Sequence, residues 1–252
     1  MSQQQLEVVS AKSRDPKSGR SVAVVTGAGR GIGRALVEVL LERNYLIVAV
    51  VRSLSDVGEL FSLDPQNILP VRCDVTEPST ESVLREFLER QIGRVDVLIN
   101  NAGFGAKSYG IEGLSFEELH NVLAVSCDGA IRCVRACLPF LRASDNAAVL
   151  NISSRFGSLE WVASGKLPHQ EATYPYRIGK AALNMLTSCL AAELRSEGIR
   201  VLAVDPGKVK TRFGPQDADV EPLDAARAIV DLVGGCSATG MFVSASGEKL
   251  PW

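Results

Sequence analysis

The sequence predicts an α/β fold in which about seven parallel strands form one doubly wound sheet with helices on both faces. Short runs of Val, Ile and Leu alternate along the chain with longer segments of helical periodicity. These apolar runs lack the polar–apolar alternation of half-exposed strands, which is typical of strands buried on both faces. No linker, repeat or low-complexity block divides the 252 residues. We therefore expect one domain over 21–252.

The individual elements follow from these patterns in chain order. Runs rich in β-branched residues predict strands at 22–25, 46–51, 68–73, 95–100, 148–152, 199–204 and 241–243. Apolar residues at helical spacing predict helices at 32–43, 55–63, 79–92, 115–141, 175–197 and 224–232. Pro78 and Pro175 stand at the starts of two of these helices, where proline is tolerated. We expect the long helix at 115–141 to break or bend around Asp128 and Gly129.

Composition and charge exclude several classes of protein. The chain has 27 basic and 29 acidic residues and a net charge of −2, so it lacks the overall basic charge of a nucleic-acid binder. The longest apolar run, 45–51, is far shorter than the roughly 20 residues that span a bilayer. Residues 1–20 have no signal-peptide core and are interpreted as a flexible tail, with a targeting segment as the alternative. We expect a cytoplasmic protein without membrane or nucleic-acid partners.

The six cysteines and two histidines have no spacing typical of a metal site. No cysteine pair has CxxC spacing, and there is no secretory signal. We therefore expect reduced, mostly buried thiols and no bound metal. Cys133 and Cys137 are four residues apart and share one helix face, which either packs in the core or meets a second copy of the chain.

A glycine-rich segment, TGAGRGIG at 26–33, lies between the first predicted strand and the first predicted helix. Gly27, Gly31 and Gly33 give the spacing GxxxGxG rather than GxGxxG. At such a junction, backbone N–H groups and the helix dipole can hold a phosphate. The segment therefore predicts a dinucleotide site, with a glycine turn that binds no ligand as the alternative.

The end of the second predicted strand indicates which dinucleotide is bound. A site for NAD usually has an acidic residue there, which accepts hydrogen bonds from the ribose hydroxyls. Here Arg52 follows the strand and no acid is present. Arg52 can bind a 2′-phosphate through paired charge-assisted hydrogen bonds, and Arg30 in the glycine loop can add a second cation. We predict NADP(H), with two solvated surface arginines as the alternative.

These residues, together with further motifs in a fixed order, resemble the short-chain dehydrogenase/reductase superfamily. The motifs are TGAGRGIG at 26–33, CDV at 73–75, NNAG at 100–103, NISS at 151–154, YRIGK at 176–180 and PGKVKT at 206–211. The resemblance covers 21–252 and implies a Rossmann fold. Within the superfamily, YRIGKAALNML and the final Leu250-Pro251-Trp252 look most like the C-factor and sniffer-type carbonyl reductases.

The resemblance implies a cofactor-binding role for residues at the strand ends and in the glycine loop. The matching positions are Gly27, Arg30, Gly31, Ile32, Gly33, Arg52, Asp74, Val75, Asn101, Ala102, Gly103, Tyr176, Lys180, Pro206, Gly207, Val209 and Thr211. Asp74 and Val75 are expected beside the adenine. Val209 and Thr211 are expected at the nicotinamide carboxamide. Plain turns at 100–103 and 206–207 are the alternatives.

Tyr176 and Lys180 are four residues apart in a predicted helix, so their side chains project from one face. A tyrosine with a pKa of about 10 is a poor acid–base group at neutral pH. A nearby ammonium favours the phenolate, so we expect Lys180 to lower the pKa of Tyr176. Tyr174 has Ile178 at its fourth position, so the acid–base role is assigned to Tyr176.

Ser154 ends the fifth predicted strand and can hydrogen-bond a substrate oxygen, with Ser153 as the alternative. The predicted reaction is hydride transfer from NADPH to an aldehyde, ketone or quinone. In it, Ser154 orients the carbonyl, Tyr176 donates the proton and Lys180 holds the nicotinamide ribose. The alternatives are an alcohol dehydrogenase acting oxidatively and a C-factor-type signalling protein that binds NADP with little turnover.

Two features depart from the family pattern. Ser126 stands where the family has an asparagine that helps hold a water for proton relay, and its shorter hydroxyl can still bind water. The stretch between Ser154 and Tyr176 is longer than in many members, and 156–173 is expected to form a substrate wall or lid, or a passive surface insertion.

The substrate pocket is expected to come from three segments, which are 104–110, 156–173 and 213–220. The family often pairs through its long helices, so a homodimer or a homotetramer is an open expectation for this chain.

Overall fold

The computed structural model describes residues 19–212, 214, 217–235 and 237–252. The strands are β1 (Val22–Thr26), β2 (Leu46–Val51), β3 (Ile68–Arg72), β4 (Val97–Asn100), β5 (Ala148–Ile152), β6 (Arg200–Asp205) and β7 (Met241–Ser244). They form one parallel sheet in the order β3-β2-β1-β4-β5-β6-β7. The predicted fold class and its seven strands are confirmed.

The helices occupy the connections between successive strands. They are α1 (Gly31–Glu42), α2 (Leu54–Leu63), α3 (Thr80–Gln91), α4 (Phe116–Leu123), α5 (Gly129–Leu141), α6 (Leu159–Ala163), α7 (Tyr174–Leu194) and α8 (Pro222–Gly235). Helix α6 has five residues and was not predicted, because so short a helix shows no clear periodicity. It begins at Ser158, whose hydroxyl accepts a hydrogen bond from the Trp161 N–H at 3.1 Å.

The helix predicted at 115–141 has an irregular centre. The π-helical turn Ala124–Asp128 joins α4 to α5. The prediction placed the irregularity at Asp128 and Gly129, and the structure places it in the turn that ends at Asp128. Such π-turns inside helices are frequent at functional sites, and Ser126 lies within this one.

Helices cover both faces of the sheet because successive strand side chains point to opposite faces. Val22 and Val24 of β1 pack in one layer with residues of α3, α5 and α7. Ala23 and Val25 pack in the other layer with residues of α1, α2 and α8. All five residues of β1 are buried, which explains the continuous apolar run in the sequence.

The thiols of Cys133 and Cys137 lie in the core, so the helix face that they share is a packing face. Both residues are fully buried within the layer of α3, α5 and α7. Burial raises the pKa of the Cys133 thiol to about 12 and that of Cys137 well above its ordinary value. All five described cysteines are free, and three of them are buried. Cys236 lies outside the described residues.

The part of the chain that the structure describes contains no helix long and apolar enough to cross a membrane. Within the same residues, no group of three or more His, Cys, Asp or Glu side chains is arranged to hold a metal ion. The tail predicted at 1–20 lies outside the described residues except for Gly19 and Arg20.

All seven strands run in one direction, so their C-terminal ends meet at one edge of the sheet. The strand order reverses between β1 and β4, which are neighbours in the sheet although β2 and β3 lie between them in the chain. Open α/β sheets bind ligands in the crevice at such a point. The sequence motifs at 26–33, 100–103 and 206–211 all follow strands at this edge.

Candidate active site

The loop between β1 and α1 is a backbone cradle whose shape depends on its glycines. Gly27 and Gly31 adopt φ values of +64° and +54°, which L-residues with a side chain rarely adopt. A Cβ on Gly33 would lie 2.1 Å from the carbonyl oxygen of Gly27. The loop can therefore approach a ligand closely with its N–H groups, at the start of a 12-residue helix. Arg30 is the N-cap residue of this helix, and its neighbour Ile32 packs against the core.

Hydrogen bonds between the ends of β1 and β4 fix the loop. The Thr26 hydroxyl oxygen accepts hydrogen bonds from the N–H groups of Asn101 and Ala102, both at 3.0 Å. The Asn101 side-chain amide donates to the carbonyl oxygens of Thr26 and Gly27 at 2.9 and 3.3 Å. Asn101 and Ala102, which the resemblance implies as cofactor residues, thus lie directly beside the glycine loop.

Residues after β2 and β3 form the far end of the crevice. Arg52 is 71% exposed in its side chain, and its Nη1 lies 3.9 Å from Oδ2 of Asp74. The other carboxylate oxygen of Asp74 accepts hydrogen bonds from the N–H and hydroxyl of Thr76 at 3.0 and 2.8 Å. Val75 is buried and does not face solvent at this edge.

Asp56 is an acid at this end that sequence reasoning missed. Its carboxylate lies against the glycine loop, since a Cβ on Gly29 would be 2.5 Å from Asp56 Oδ2. The residue sits in the first turn of α2, which Ser53 caps by accepting hydrogen bonds from the N–H groups of Ser55 and Asp56. An acid in a first helical turn is ordinary, so the sequence carried no signal that it would reach the loop.

The chain then continues past β6 towards the glycine loop. Pro206 and Gly207 follow the strand, and Gly207 turns the chain with φ of +83°. Val209 is buried and forms an isolated bridge with Val220. Thr211 lies opposite Gly31, where a Cβ would be 3.4 Å from the threonine methyl group. In the third predicted pocket segment, residues 213, 215 and 216 lie outside the described residues.

Ser154, Tyr176 and Lys180 are brought together between β5 and α7. Thr173 caps α7 by accepting a hydrogen bond from the Tyr176 N–H at 3.4 Å, and Pro175 occupies its first turn. The Ser154 side chain lies close enough to the Tyr176 hydroxyl to lower its pKa. Lys180 is buried, and its Nζ lies 5.7 Å from the centre of the Tyr176 ring.

The lysine ammonium is anchored at the end of β5. Its Nζ donates a 2.7 Å hydrogen bond to the carbonyl oxygen of Ile152. A Cβ on Gly103 would lie 3.7 Å from the same Nζ, so the turn after β4 borders Lys180. Burial lowers the pKa of Lys180 to about 8, against an opposing effect of the Asp205 carboxylate.

The pKa of Tyr176 is raised, not lowered as the spacing with Lys180 predicts. Burial of the hydroxyl is the largest cause, and the negative charge of Asp205 adds to it. The nearby Ser154 side chain opposes both effects. The prediction was wrong in direction because it counted a nearby ammonium and left out desolvation. At neutral pH the phenol therefore keeps its proton and can donate it.

Asp205 is a buried charge beside the site that sequence reasoning missed. It ends β6, and it binds Arg155, the residue that follows Ser154. The Arg155 N–H donates to Oδ1 at 3.1 Å, while Nε and Nη2 lie 3.1 and 3.0 Å from Oδ2. The pair fixes the chain directly after Ser154. An acid that ends an apolar strand just before Pro206 was the available signal.

The other serine of the NISS motif has a structural partner. The Ser153 hydroxyl donates to Oδ1 of Asn184 at 2.5 Å, and the Asn184 amide donates to the carbonyl oxygen of Gly157 at 3.1 Å. Ser153 is 1% exposed. Its hydroxyl is thus engaged in the core, on the opposite side of the strand from the Ser154 hydroxyl.

Ser126 lines a small and largely enclosed cavity beside the ends of β1 and β4. The cavity has a volume of about 10 Å³, and Thr26, Asn100 and Ala102 are among its other lining residues. Oδ1 of Asn100 is buried and has no hydrogen-bond partner. A space of about 10–15 Å³ with polar walls is sufficient for one water molecule.

The loop at 104–110 is held against the start of α7. The Ser108 carbonyl oxygen accepts a 3.0 Å hydrogen bond from the Tyr174 N–H. Oε2 of Glu118 accepts hydrogen bonds from the N–H groups of Lys107 and Ser108 at 3.0 Å and from the Ser108 hydroxyl at 2.8 Å. These bonds hold the pKa of Glu118 below its ordinary value.

An open cavity of about 360 Å³ lies between this loop and residues 156–173, which we call the β5–α7 segment. Tyr109 and Gly110 line it from the loop, and His169 and Gln170 line it from the β5–α7 segment. Two of the three predicted pocket segments are therefore brought together.

The fold and the site define a class: a parallel α/β protein with a glycine-rich nucleotide loop and a Ser–Tyr–Lys group at the strand ends. The chain belongs to the short chain dehydrogenase family, which matches residues 21–221. It is 36% identical over 208 residues to the uncharacterized short-chain type dehydrogenase/reductase y4vI of Sinorhizobium fredii. That match covers 82% of this chain and 35% of the relative, so the chain spans about a third of that protein.

Further similarities connect the chain to named members of the family. It is 32% identical over 162 residues to the C-signal of Myxococcus xanthus, covering 64% of this chain and 94% of that protein. The structure of NADPH-bound carbonyl reductase from chicken fatty liver matches with a TM-score of 0.83 and 30% identity. Carbonyl reductase Sniffer of D. melanogaster matches with a TM-score of 0.83 and 28% identity. Both structural matches cover 92% of this chain and 99% of the other. The predicted resemblance is confirmed.

Proposed function

We propose that the chain is an NADPH-dependent reductase of carbonyl compounds, with aldehydes, ketones and quinones as the candidate substrates. The observation that carries this proposal is the grouping of the Ser154 and Tyr176 hydroxyls with the buried Lys180 ammonium. These three residues lie near the C-terminal ends of the strands, at the same edge of the sheet as the glycine loop. Membership of an oxidoreductase family and the similarity to two carbonyl reductases support it.

The crevice fits a dinucleotide with an extra phosphate. The loop at 27–33 leaves no space for a Cβ at Gly33, so backbone N–H groups can approach a pyrophosphate closely. Arg52 and Arg30 supply cations for a 2′-phosphate, and no acid ends β2. Thr211, which lies opposite Gly31, is our candidate for the carboxamide end. The similarity to a reductase solved with NADPH bound supports the same choice.

The bound dinucleotide supplies a hydride to the carbonyl carbon and is itself oxidised. The protein's part is to bind the carbonyl and to supply the proton. The Ser154 hydroxyl donates a hydrogen bond to the carbonyl oxygen and stabilises its developing negative charge. The Tyr176 phenol transfers its proton to that oxygen, which completes the alcohol. Lys180 holds the ribose and stabilises the phenolate that remains.

The protonation states of the site favour reduction over oxidation. A raised pKa keeps the Tyr176 phenol protonated at neutral pH, which suits a proton donor. Oxidation of an alcohol needs the phenolate as base, and burial opposes that form. Lys180, with a pKa of about 8, remains mostly charged at neutral pH.

A panel of aldehydes, ketones and quinones assayed with NADPH tests the proposal. We expect saturable NADPH oxidation with at least one of these carbonyl classes and formation of the matching alcohol. If NADPH binds tightly but no carbonyl of any class is turned over, the reductase proposal is refuted.

That outcome would favour the second candidate, an NADP-binding regulatory protein. The similarity to C-signal is the observation that supports it, together with the replacement of the family's asparagine by Ser126. The enclosed cavity beside Ser126 supports the opposite view, in which a water takes part in returning a proton to the site. Turnover by the wild-type chain separates the two candidates.

Changing Arg52 to Asp is expected to reduce the preference for NADPH over NADH by about tenfold or more, the effect of losing charge-assisted hydrogen bonds to one phosphate. The measurement is kcat/KM with each dinucleotide. Arg90→Asp is the control, because it makes the same charge change near the end of α3, at the opposite edge of the sheet. Equal selectivity of the Arg52 variant and wild type would remove Arg52 from the nucleotide site.

Changing Asp205 to Asn is expected to destabilise the fold and shift the pH profile. The half-buried Arg155 would lose a charged partner, and we expect a loss of about 1–3 kcal/mol in urea unfolding. The charge of Asp205 raises the pKa values of both Lys180 and Tyr176. Its removal lowers both, so the protonated forms disappear at lower pH. The basic limb of kcat/KM should therefore move to lower pH, and an unmoved limb would contradict this electrostatic role.

The single domain over 21–252, the assembly as a homodimer or homotetramer, and the cytoplasmic location stay predictions. Size-exclusion chromatography with light scattering determines the assembly directly.

A further inference from the structure

Arg177 follows Tyr176 in the chain, and its guanidinium is directed to the β5–α7 segment. Nε donates to the carbonyl oxygen of Ala172 at 3.2 Å. Nη1 and Nη2 donate to the carbonyl oxygen of Leu167 at 3.5 and 3.4 Å, and Nη2 also donates to that of Pro168. One side chain on α7 thus binds three carbonyl oxygens in the second half of the segment.

The same guanidinium also contacts the beginning of the segment. Its central carbon lies over the Phe156 ring, 5.1 Å from the ring centre, as in a cation–π contact. Lysine has no comparable fork of donors, so a planar guanidinium is the group that can bind several carbonyls and a ring at once. Partial burial lowers the pKa of Arg177.

Contacts with Trp252 hold the part of the segment around Ser158 and Glu160. The Glu160 N–H and the Ser158 hydroxyl donate to the carbonyl oxygen of Trp252 at 3.0 and 3.2 Å. The Trp252 ring stacks on Phe242 of β7, with ring centres 5.7 Å apart. The first third of the segment is thereby joined to the sheet edge, whereas Arg177 binds the carbonyl oxygens of the stretch from Leu167 to Ala172.

That second stretch is the part that faces the open cavity. His169 and Gln170 line the cavity, and they lie between the carbonyl oxygens that Arg177 binds. Both residues are exposed and lie in a single 3₁₀ turn, His169–Glu171, which has little stabilisation of its own. We therefore expect the side of the cavity formed by His169 and Gln170 to shift when the Arg177 guanidinium is removed.

We propose that Arg177 is a positioning residue that fixes the β5–α7 segment as the substrate-side wall and so determines how well extended carbonyl compounds bind. The inference rests on the proposed reductase function for its kinetic consequence. The proposal predicts different effects of Arg177 on the binding of compact and of extended carbonyl substrates. A compact aldehyde needs only Ser154 and Tyr176, whereas a carbonyl that bears an extended ring system also reaches His169 and Gln170.

Two variants and two aldehydes test the proposal. Arg177→Met removes all the donors at similar length, and Arg177→Lys keeps the charge but not the fork. Arg142→Met is the matched control, because Arg142 binds Glu197 through two hydrogen bonds at the opposite end of the sheet. Propanal serves as the compact substrate and 4-phenylbenzaldehyde as the extended one, both with saturating NADPH.

For Arg177→Met we expect KM for 4-phenylbenzaldehyde to rise about tenfold, the factor that corresponds to one lost charge-assisted hydrogen bond. The kcat of Arg177→Met for 4-phenylbenzaldehyde should stay close to the wild-type value. Its kcat and KM for propanal should also stay close to wild type. Arg177→Lys should lie between wild type and Arg177→Met, and Arg142→Met should match wild type. An equal fall of kcat with both aldehydes, or an unchanged KM for the larger one, would overturn the proposal.

Limited trypsin digestion tests the positioning role without any turnover. Cleavage after Lys166, inside the segment, should be about tenfold faster in Arg177→Met than in wild type, for the same energetic reason. Arg142→Met should be cut at the wild-type rate. If Arg177→Met does not fold, Arg177→Lys carries both measurements. If the wild-type chain reduces neither aldehyde, the panel of carbonyl classes decides the reductase proposal, and the digestion alone decides whether Arg177 holds the segment.

Discussion

Changing Tyr176 to Phe is expected to lower kcat for carbonyl reduction by about 10³-fold, within the range that general acid catalysis contributes. The variant keeps the ring at the start of α7 and removes only the hydroxyl that lies near Ser154. Without that hydroxyl, the developing alkoxide has no positioned proton donor. The measurement is NADPH oxidation at saturating carbonyl, together with the dissociation constant of NADPH from fluorescence titration.

Tyr174→Phe is the matched control for this experiment. It removes a tyrosine hydroxyl two residues earlier in the same helix, where the fourth residue on is Ile178 rather than a lysine. We expect Tyr174→Phe to retain kcat within about a factor of three, the ordinary effect of a surface-type substitution. Near-normal turnover by Tyr176→Phe with intact NADPH binding would end the assignment of Tyr176 as the proton donor.

Changing Gly33 to Ala is expected to cost about 3 kcal/mol of folding free energy or more, as for an overpacked core. The added Cβ would lie 2.1 Å from the Gly27 carbonyl oxygen and 2.5 Å from the Asn101 side-chain nitrogen. A backbone carbonyl cannot move aside as the end of a flexible side chain can. The loop must therefore move away from α1. We expect a lower urea midpoint and loss of NADPH binding, measured by unfolding and by fluorescence titration.

Gly58→Ala is the control for a change of the same size. Gly58 is exposed in the middle of α2, and a Cβ there would meet nothing within 4 Å. Alanine at such a helical position should stabilise the fold by up to about 1 kcal/mol, because glycine is a poor helix former. A Gly33→Ala variant as stable as wild type, with NADPH binding intact, would show that the glycine loop tolerates a side chain.

The parts of the site that the sequence predicted are those encoded by neighbouring residues. The glycine loop, the Tyr176–Lys180 spacing and the serine after β5 each depend on one turn or one helical period. Parallel strands bring their C-terminal ends to one edge, so the motifs after β1, β4 and β6 had to converge once the strand pattern was recognised. Thr211 opposite Gly31 follows from this convergence.

The residues that the sequence did not reveal act through contacts that no helical or strand period predicts. Asp205 binds Arg155 from a different strand end, and Arg177 binds carbonyl oxygens that it reaches only because the segment folds back over α7. Asp205 at the end of an apolar strand was the one available signal, and nothing in the sequence around Arg155 and Arg177 distinguishes them from ordinary surface charges. Their roles depend on which groups become buried together, and burial is a property of the packed molecule.

By itself, the sequence predicted the fold class, the order of the strands and of the helices other than α6, the glycine loop and the Ser–Tyr–Lys residues proposed for the site. Local periodicity and short motifs are sufficient for these, since each is set by backbone geometry over a few residues. Only the tertiary structure decided that the pKa of Tyr176 is raised, that Ser126 borders an enclosed cavity, and that Arg177 holds the β5–α7 segment. Desolvation, enclosed space and contacts with backbone carbonyls arise when distant segments exclude water from one another, and a linear pattern does not carry that information.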